Sequence, residues 1–305
     1  MYRNVFVLLG WASIMFISCV TPGNMSHKAM DTTIFKEGKE PKLVSRQFLF
    51  TEGPATDKEG NVYFTDQPNN TIWKYSLDGS LSLFMDSAGR ANGLYFDNED
   101  YLIACADEYN QLWRIDSKGN VTVLLDNYEG KKLNGPNDVW VHPSGNLYFT
   151  DPYYQRPYWT RQRQELAAQN VYLVSKGKRE VRPVIENLRQ PNGIIGTPDG
   201  RWLFVADIGA GKTYKYGINR NGSLDAGRLF CEMGSDGMTL DAQGNLYVTG
   251  NGVTVFNPNG VQIGHIPIPE KWTSNVTFGG KDRKQLFITA SEAIYLLDMN
   301  VKGAH

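Results

Sequence analysis

The amino-acid sequence predicts an all-β chain: a six-bladed β-propeller closed by an N-terminal strand in its last blade. Three observations carry this expectation. One short segment recurs six times, its leading residues lie 40, 45, 55, 44 and 39 positions apart, and each copy opens a unit of short strands. Self-similarity at this period, with four short strands per unit, is the signature of a propeller.

The copies read, in order, "EGPATDKEGNVYFTD" from Glu52, "NGLYFDNEDYLIACAD" from Asn92 and "NDVWVHPSGNLYFTD" from Asn137. "NGIIGTPDGRWLFVAD" from Asn192, "DGMTLDAQGNLYVTG" from Asp236 and "NVTFGGKDRKQLFITA" from Asn275 complete the set. In each, an alternating run turns through a Gly, Asp or Asn cluster into a second run, as strand hairpins do. Third strands follow, among them "IWKYSL" and "IYLLDM", and fourth strands such as "VTVLL" and "VRPVI". The sixth unit stops after its third strand, at Asp298, and "KLVSRQFLF" at 42–50 supplies the missing one. Pairing the two chain ends in one blade removes an open sheet edge.

The 305 residues are 41% hydrophobic, enough for one large β domain, so 42–300 reads as a single propeller. A net charge of -1 without a basic cluster excludes a nucleic-acid footprint. The four His residues show no zinc-ligand spacing, and no G-x-S-x-G elbow is present. Cys105 and Cys231 lie alone in apolar runs and read as buried small hydrophobes, not as a disulfide. The first residues, "MYRNVFVLLGWASIMFISCV", have one Arg and an apolar run too short to span a bilayer, so 1–18 reads as an export signal. Cys19 behind it resembles a lipoprotein cleavage site, which implies lipidation at Cys19, a polar tether over 19–41 and an exported, periplasmic or outer-membrane-anchored protein. The lipid would be its only membrane attachment.

In a propeller the first strand of each blade lines the central channel, so the leading residues ring one mouth of it. Glu52, Asn92, Asn137, Asn192, Asp236 and Asn275 converge there, backed by Asp66, Asp107, Asp151 and Asp207 at the ends of the second strands. Asn-Gly and Asp-Gly pairs ordinarily mark turns. Here Glu-Gly-Pro and Asn-Asp share the register, and each unit has its turn elsewhere. Oxygen donors with neither His nor Cys suit a hard cation, calcium above all. Magnesium and manganese remain open, and zinc fits an oxygen-only set less well.

At these residues the chain resembles the gluconolactonase, senescence-marker-protein (regucalcin) and luciferin-regenerating-enzyme family, and within it the bacterial gluconolactonases. The resemblance runs from about Lys42 to Asp298 on "EGP", "LNGPND" at 133–138, "FTDPYY" at 149–154, "QPNG" at 190–193 and "SDGMTLDAQGNLYV" at 235–248. It implies one divalent metal on Glu52, Asn192 and Asp236, with Asn137 touching metal or substrate, Asp236 as catalytic base, and a small-molecule sugar lactone as substrate. The insertion "DPYYQRPYWTRQRQELAAQNVYLV" resembles the family's lid loop. Tyr153, Arg156 and Trp159 are its expected substrate contacts, with Asn134 and Asn137 on substrate hydroxyls. The alternatives are another metal-dependent esterase or lactonase on the same site, or a propeller that only binds.

Overall fold

The computed structural model describes residues 34–36, 38–177 and 180–305, and the signal segment and Cys19 lie outside them. The chain forms six four-stranded antiparallel sheets. A single strand, β1 (Lys42–Ser45), comes first. Blade one holds β2 (Thr51–Thr56), β3 (Val62–Asp66), β4 (Thr71–Tyr75) and β5 (Leu81–Met85). Blade two holds β6 (Ala91–Phe96), β7 (Leu102–Ala106), β8 (Gln111–Ile115) and β9 (Val121–Leu125). Blade three holds β10 (Val139–Val141), β11 (Leu147–Asp151), β12 (Asn170–Val174) and β13 (Val181–Ile185). Blade four holds β14 (Pro191–Gly196), β15 (Trp202–Asp207), β16 (Lys212–Gly217) and β17 (Arg228–Cys231). Blade five holds β18 (Met238–Leu240), β19 (Leu246–Gly250), β20 (Gly252–Phe256) and β21 (Gln262–Ile266). Blade six holds β22 (Thr273–Gly279), β23 (Gln285–Ala290) and β24 (Ala293–Asp298), and its outer strand is β1, which pairs with β24 from Lys42↔Leu296 to Ser45↔Ile294.

Each blade is a meander, and most of its connections are tight turns, the long insertion between β11 and β12 being the main exception. Asp57 shows the chemistry: its carbonyl accepts from Gly60 N–H at 3.1 Å while its Oδ1 accepts from the same N–H and from that of Asn61. At the equivalent hairpins the Asp97 and Asp241 carbonyls accept the N–H three residues on, and each Oδ1 accepts those two and four residues on. Apolar side chains then interleave between adjacent blades. Phe48 and Phe64 pack on Phe287 and Ile294 where blade six meets blade one, and Trp140, Leu203, Val205 and Val248 join blades three to five. Cys105 and Cys231 are both buried and free within these layers.

Two segments are more closely bound than their composition suggested. The described end of the 19–41 segment is not a free tether: Ile34 and Phe35 are buried among Val253, Val276 and Tyr295. Asn300 secures them, its N–H donating to Ile34 O at 3.1 Å and its Nδ2 to Phe35 O at 2.7 Å. Two apolar residues in a polar stretch find the groove between blades five and six. Beyond residue 300 the chain also stays on the domain, with Val301 buried and Ala304 N–H donating to Leu240 O at 2.9 Å.

The six inner strands β2, β6, β10, β14, β18 and β22 contact one another in a ring. Near the axis they approach so closely that side chains are excluded. A Cβ on Gly53 would lie 2.1 Å from Asn92 O, and one on Gly237 would lie 1.9 Å from Asn275 Cγ. Gly53 also has φ +35, in the left-handed region. The glycines that follow four of the six leading residues, Gly53, Gly93, Gly193 and Gly237, therefore serve close approach, not a turn. Gly237→Ala should destabilise the fold by about 1–3 kcal/mol through overpacking. Thermal unfolding of the variant checks this, and an unchanged Tm would contradict it.

Candidate functional site

The leading residues point at the axis because the inner strands break register there. Pairing with the second strand is interrupted between Glu52 and Ala55, Ala91 and Leu94, Pro191 and Ile194, and Thr273 and Asn275. In blades three and five, β10 and β18 begin only after Asn137 and Asp236. A strand released from its ladder can re-aim a side chain, as bulges beside active sites do. Threonines one residue before the end of the second strands then tie neighbouring blades. Thr65 Oγ1 donates to Asn92 O at 3.1 Å, Thr150 Oγ1 to Asn192 O at 2.7 Å and Thr249 Oγ1 to Ser274 O at 2.9 Å.

Glu52, Asn192, Asp236 and Asn275 come together at this mouth. Glu52 takes Gly53 N–H at 3.0 Å and an amide proton of Asn275, while Asn275 Oδ1 accepts Val276 N–H at 2.8 Å. Asp236 Oδ2 accepts from Trp272 Nε1 at 2.7 Å and also meets the Asn192 amide. Asn192 Nδ2 donates to Tyr154 OH at 3.0 Å, and its Oδ1 is buried without a partner among the described residues. Asn92 and Asn137 are buried as well, and their side-chain amides make no hydrogen bond with the described residues.

The electrostatics are those of carboxylates held close without enough cations. Burial, then the charges of Asp236 and Asp138, raise the Glu52 carboxyl well above its usual range, against the Gly53 N–H. Burial lifts Asp236 to about 6, against its bonds to Trp272 and Asn192 and the Arg156 charge. Asp138 is lifted to about 7 by burial, although Ile194 N–H at 3.2 Å and Val139 N–H at 2.9 Å donate to it.

A divalent cation fits this set. Among the described residues no three His, Cys, Asp or Glu side chains gather as a ligand group. An ion here would therefore rest on the Glu52 and Asp236 carboxylates, completed by amide oxygen. The unpartnered Asn192 Oδ1 is such an oxygen, already stripped of water and facing no donor. Two carboxylates and an amide oxygen suit a hard ion such as calcium.

Sequence reasoning did not single out Asp138 or Trp272. Asp138 had a legible signal, since it occupies the position that is Gly53, Gly93, Gly193 and Gly237 in four other units. Its carboxylate fills the space opposite Gly93, whose Cβ would lie 2.5 Å from Asp138 Oδ1. Trp272, three residues before Asn275, offered only an aromatic in a polar stretch; it is 37% exposed, so its face is open beside Asp236.

The blade-three insertion folds back over the mouth, and its residues divide. Arg156 is close enough for its charge to act on Asp236, and its guanidinium centre stands 5.4 Å from the Tyr154 ring. Trp159 is buried against Gly135, with Nε1 donating to Asp107 O at 3.1 Å. Asn134 spends Nδ2 on Asp151 O and Ala168 O, so it holds the loop down. Tyr153 is half-buried, its hydroxyl on Gln155 and its N–H donating to Gln169 Oε1 at 2.8 Å.

With this geometry the comparisons with known proteins can be read. The family model described as the SMP-30/Gluconolactonase/LRE-like region matches residues 50–292. The chain belongs to this family. It is similar to a gluconolactonase of Zymomonas mobilis, 28% identical over 83% of this chain and 79% of that protein. A solved gluconolactonase of Xanthomonas campestris superposes with TM-score 0.82 at 27% identity, covering 88% of this chain and 91% of that one. A calcium-binding regucalcin of Agrobacterium tumefaciens shares the fold, with TM-score 0.74 at 21% identity over 87% of this chain and 95% of that one. This SMP-30/gluconolactonase-like propeller thus carries its carboxylate mouth on a fold whose relatives include lactonases.

The raised carboxyl groups set a pH dependence. A group lifted in the folded state contributes stability that is complete below its unfolded value, about 4. That contribution is lost as pH rises through the folded value, about 6 for Asp236. The metal-free protein should lose Tm between pH 5 and 7.5 in differential scanning calorimetry. Glu52→Gln should raise the metal-free Tm at pH 7.5 and abolish any increase on adding calcium. A lower metal-free Tm in Glu52→Gln would contradict this electrostatic account.

Proposed function

We propose that this protein hydrolyses a sugar lactone in a divalent-cation-dependent reaction at the channel mouth, as a gluconolactonase-like enzyme. The observation that carries it is the conjunction of two buried carboxylates with an unpartnered buried amide oxygen. Kinship with gluconolactonases supports the reaction class. The calcium-binding relative supports the choice of ion.

Glu52, Asp236 and the Asn192 amide oxygen would hold the cation. When bound, it supplies Lewis-acid polarisation of the lactone carbonyl and positive charge for the developing oxyanion. The remaining chemistry falls to this chain's own side chains. Asp236, steadied by Trp272 Nε1 at 2.7 Å, orients the attacking water and accepts its proton. The water oxygen bonds to the carbonyl carbon, the ring carbon–oxygen bond breaks, and the proton passes to the leaving oxygen to give the hydroxy acid. The side-chain amides of Asn92 and Asn137, which have no partner among the described residues, are available to sugar hydroxyls. The open indole of Trp272 offers a flat face to a sugar ring, and Tyr154 with Arg156 closes the mouth from above.

Glucono-1,5-lactone hydrolysis by residues 34–305, above the spontaneous rate, is the test. Turnover should fall at least about a hundredfold with chelator, with Asp236→Ala and with Glu52→Gln, in proportion to the loss of one electrostatic contributor. Calcium binding without turnover would leave the site and sink this substrate. Neither binding nor turnover would leave a propeller that only binds. Export by a lipidated Cys19 belongs to the same proposal, and loss of radiolabelled palmitate from Cys19→Ala in cells checks it.

A further inference from the structure

Three blades end their second strand in aspartate, and these three carboxylates have equivalent partners. Asp66 accepts the N–H groups of Leu49 and Phe50, both at 3.1 Å. Asp151 accepts those of Asn134 and Gly135 at 2.9 Å. Asp207 accepts those of Arg189 and Gln190 at 2.9 Å. In each case the carboxylate caps the segment that leads into the inner strand of its own blade. These bonds are architecture.

In blade two Ala106 holds that place, paired with Gln111 as Asp66 is with Thr71, and Asp107 stands one residue further on, at the start of the turn. The backbone N–H of Arg90, in the segment leading into β6, goes to Asn70 Oδ1 at 2.6 Å instead. The Asp107 carboxylate is left for other donors, and they come from the blade-three insertion. Its Oδ2 accepts from Arg156 Nε at 2.7 Å and Tyr158 OH at 2.6 Å, with Gln67 Nε2 at 3.2 Å. Its carbonyl accepts Trp159 Nε1 at 3.1 Å. The Asp107 side chain is only 3% exposed and that of Arg156 22%, so the ion pair is well shielded from water. Charge-assisted bonds of this length in such a place fix geometry firmly.

We propose that Asp107 is a positioning residue that clasps the blade-three lid over the mouth and sets Arg156 and Tyr154 for substrate. The path is short. Asp107 holds Arg156, whose side chain has no other hydrogen bond among the described residues. Arg156 lies against Tyr154, and Tyr154 OH accepts from Asn192 at the ring. Neither Asp107 nor its partners on the lid is a cation ligand in the site described above. The clasp therefore governs how substrate is held, and leaves cation binding to the ring.

The kinetic part of this inference rests on the lactonase reading, so its test has a second arm that does not. With calcium present, Asp107→Asn should raise KM for glucono-1,5-lactone about tenfold and change kcat by less than about twofold. Calcium affinity by titration calorimetry should be unchanged. Asp107→Glu should recover part of the KM. Asp107→Asn combined with Arg156→Met should be no worse than the poorer single variant, because the two act as one unit. In the second arm, trypsin should cut after Arg161 and Arg163 about tenfold faster in Asp107→Asn than in wild type, as expected for a lid that opens locally. Arg156→Met carries the same expectation for cleavage should Asp107→Asn fail to fold. Unchanged KM with unchanged cleavage would overturn the clasp. So would a joint loss of kcat, calcium affinity and Tm, which a purely architectural aspartate would give. If wild type hydrolyses no lactone, the lactonase reading alone falls, and the cleavage rates still decide the clasp.

Discussion

The site depends on how closely six inner strands approach a common axis. At Gly53 and Gly237 there is no room for a methyl group, because the neighbouring backbone or amide already occupies the space. That approach brings Glu52 within reach of Asn275 and the charge of Asp236, although the two carboxylates are far apart in sequence. Blade-to-blade hydroxyl bonds from Thr65, Thr150 and Thr249 secure it. Without the glycines the blades would stand further apart, and the ring would be too wide for one ion.

This closeness has an electrostatic cost. Glu52, Asp138 and Asp236 are all desolvated, and the Arg156 charge is shared between Asp236 and Asp107. Buried carboxylates with raised proton affinity are a common mark of functional sites, where local strain is retained for chemistry. The carboxylates that end the second strands illustrate the contrast. Asp66, Asp151 and Asp207 are satisfied by backbone N–H groups and stabilise the blades. The carboxylates at the axis keep a raised proton affinity despite their hydrogen bonds, and the proposed cation would supply their counter-charge.

Much of this was legible in the sequence because a repeat turns one-dimensional spacing into three-dimensional register. The 40-residue period gave the blades, and the position of Glu52, Asn192 and Asp236 within it gave the mouth. Asp138 was legible in principle, as the one acidic residue at a position that is otherwise mostly glycine. Other features were not. Asp66, Asp107, Asp151 and Asp207 look alike in the sequence, yet Asp107 stands one residue beyond the strand end that the others occupy and meets a loop from another blade. The packing of Trp159 over Gly135 was not legible either. Ile34 and Phe35 looked like part of a tether, and their groove exists only once blades five and six are formed. Each miss is a tertiary contact between segments that no local pattern connects.

The most direct test of the central claim is an anomalous difference map from crystals of residues 34–305 grown with manganese or soaked in terbium. The account predicts one strong peak on the propeller axis, with the Glu52 and Asp236 carboxylates and Asn192 Oδ1 about 2.1–2.6 Å away. The peak should be absent in Glu52→Gln crystals treated alike. A peak elsewhere, or none at the mouth with all three side chains ordered, would contradict the account.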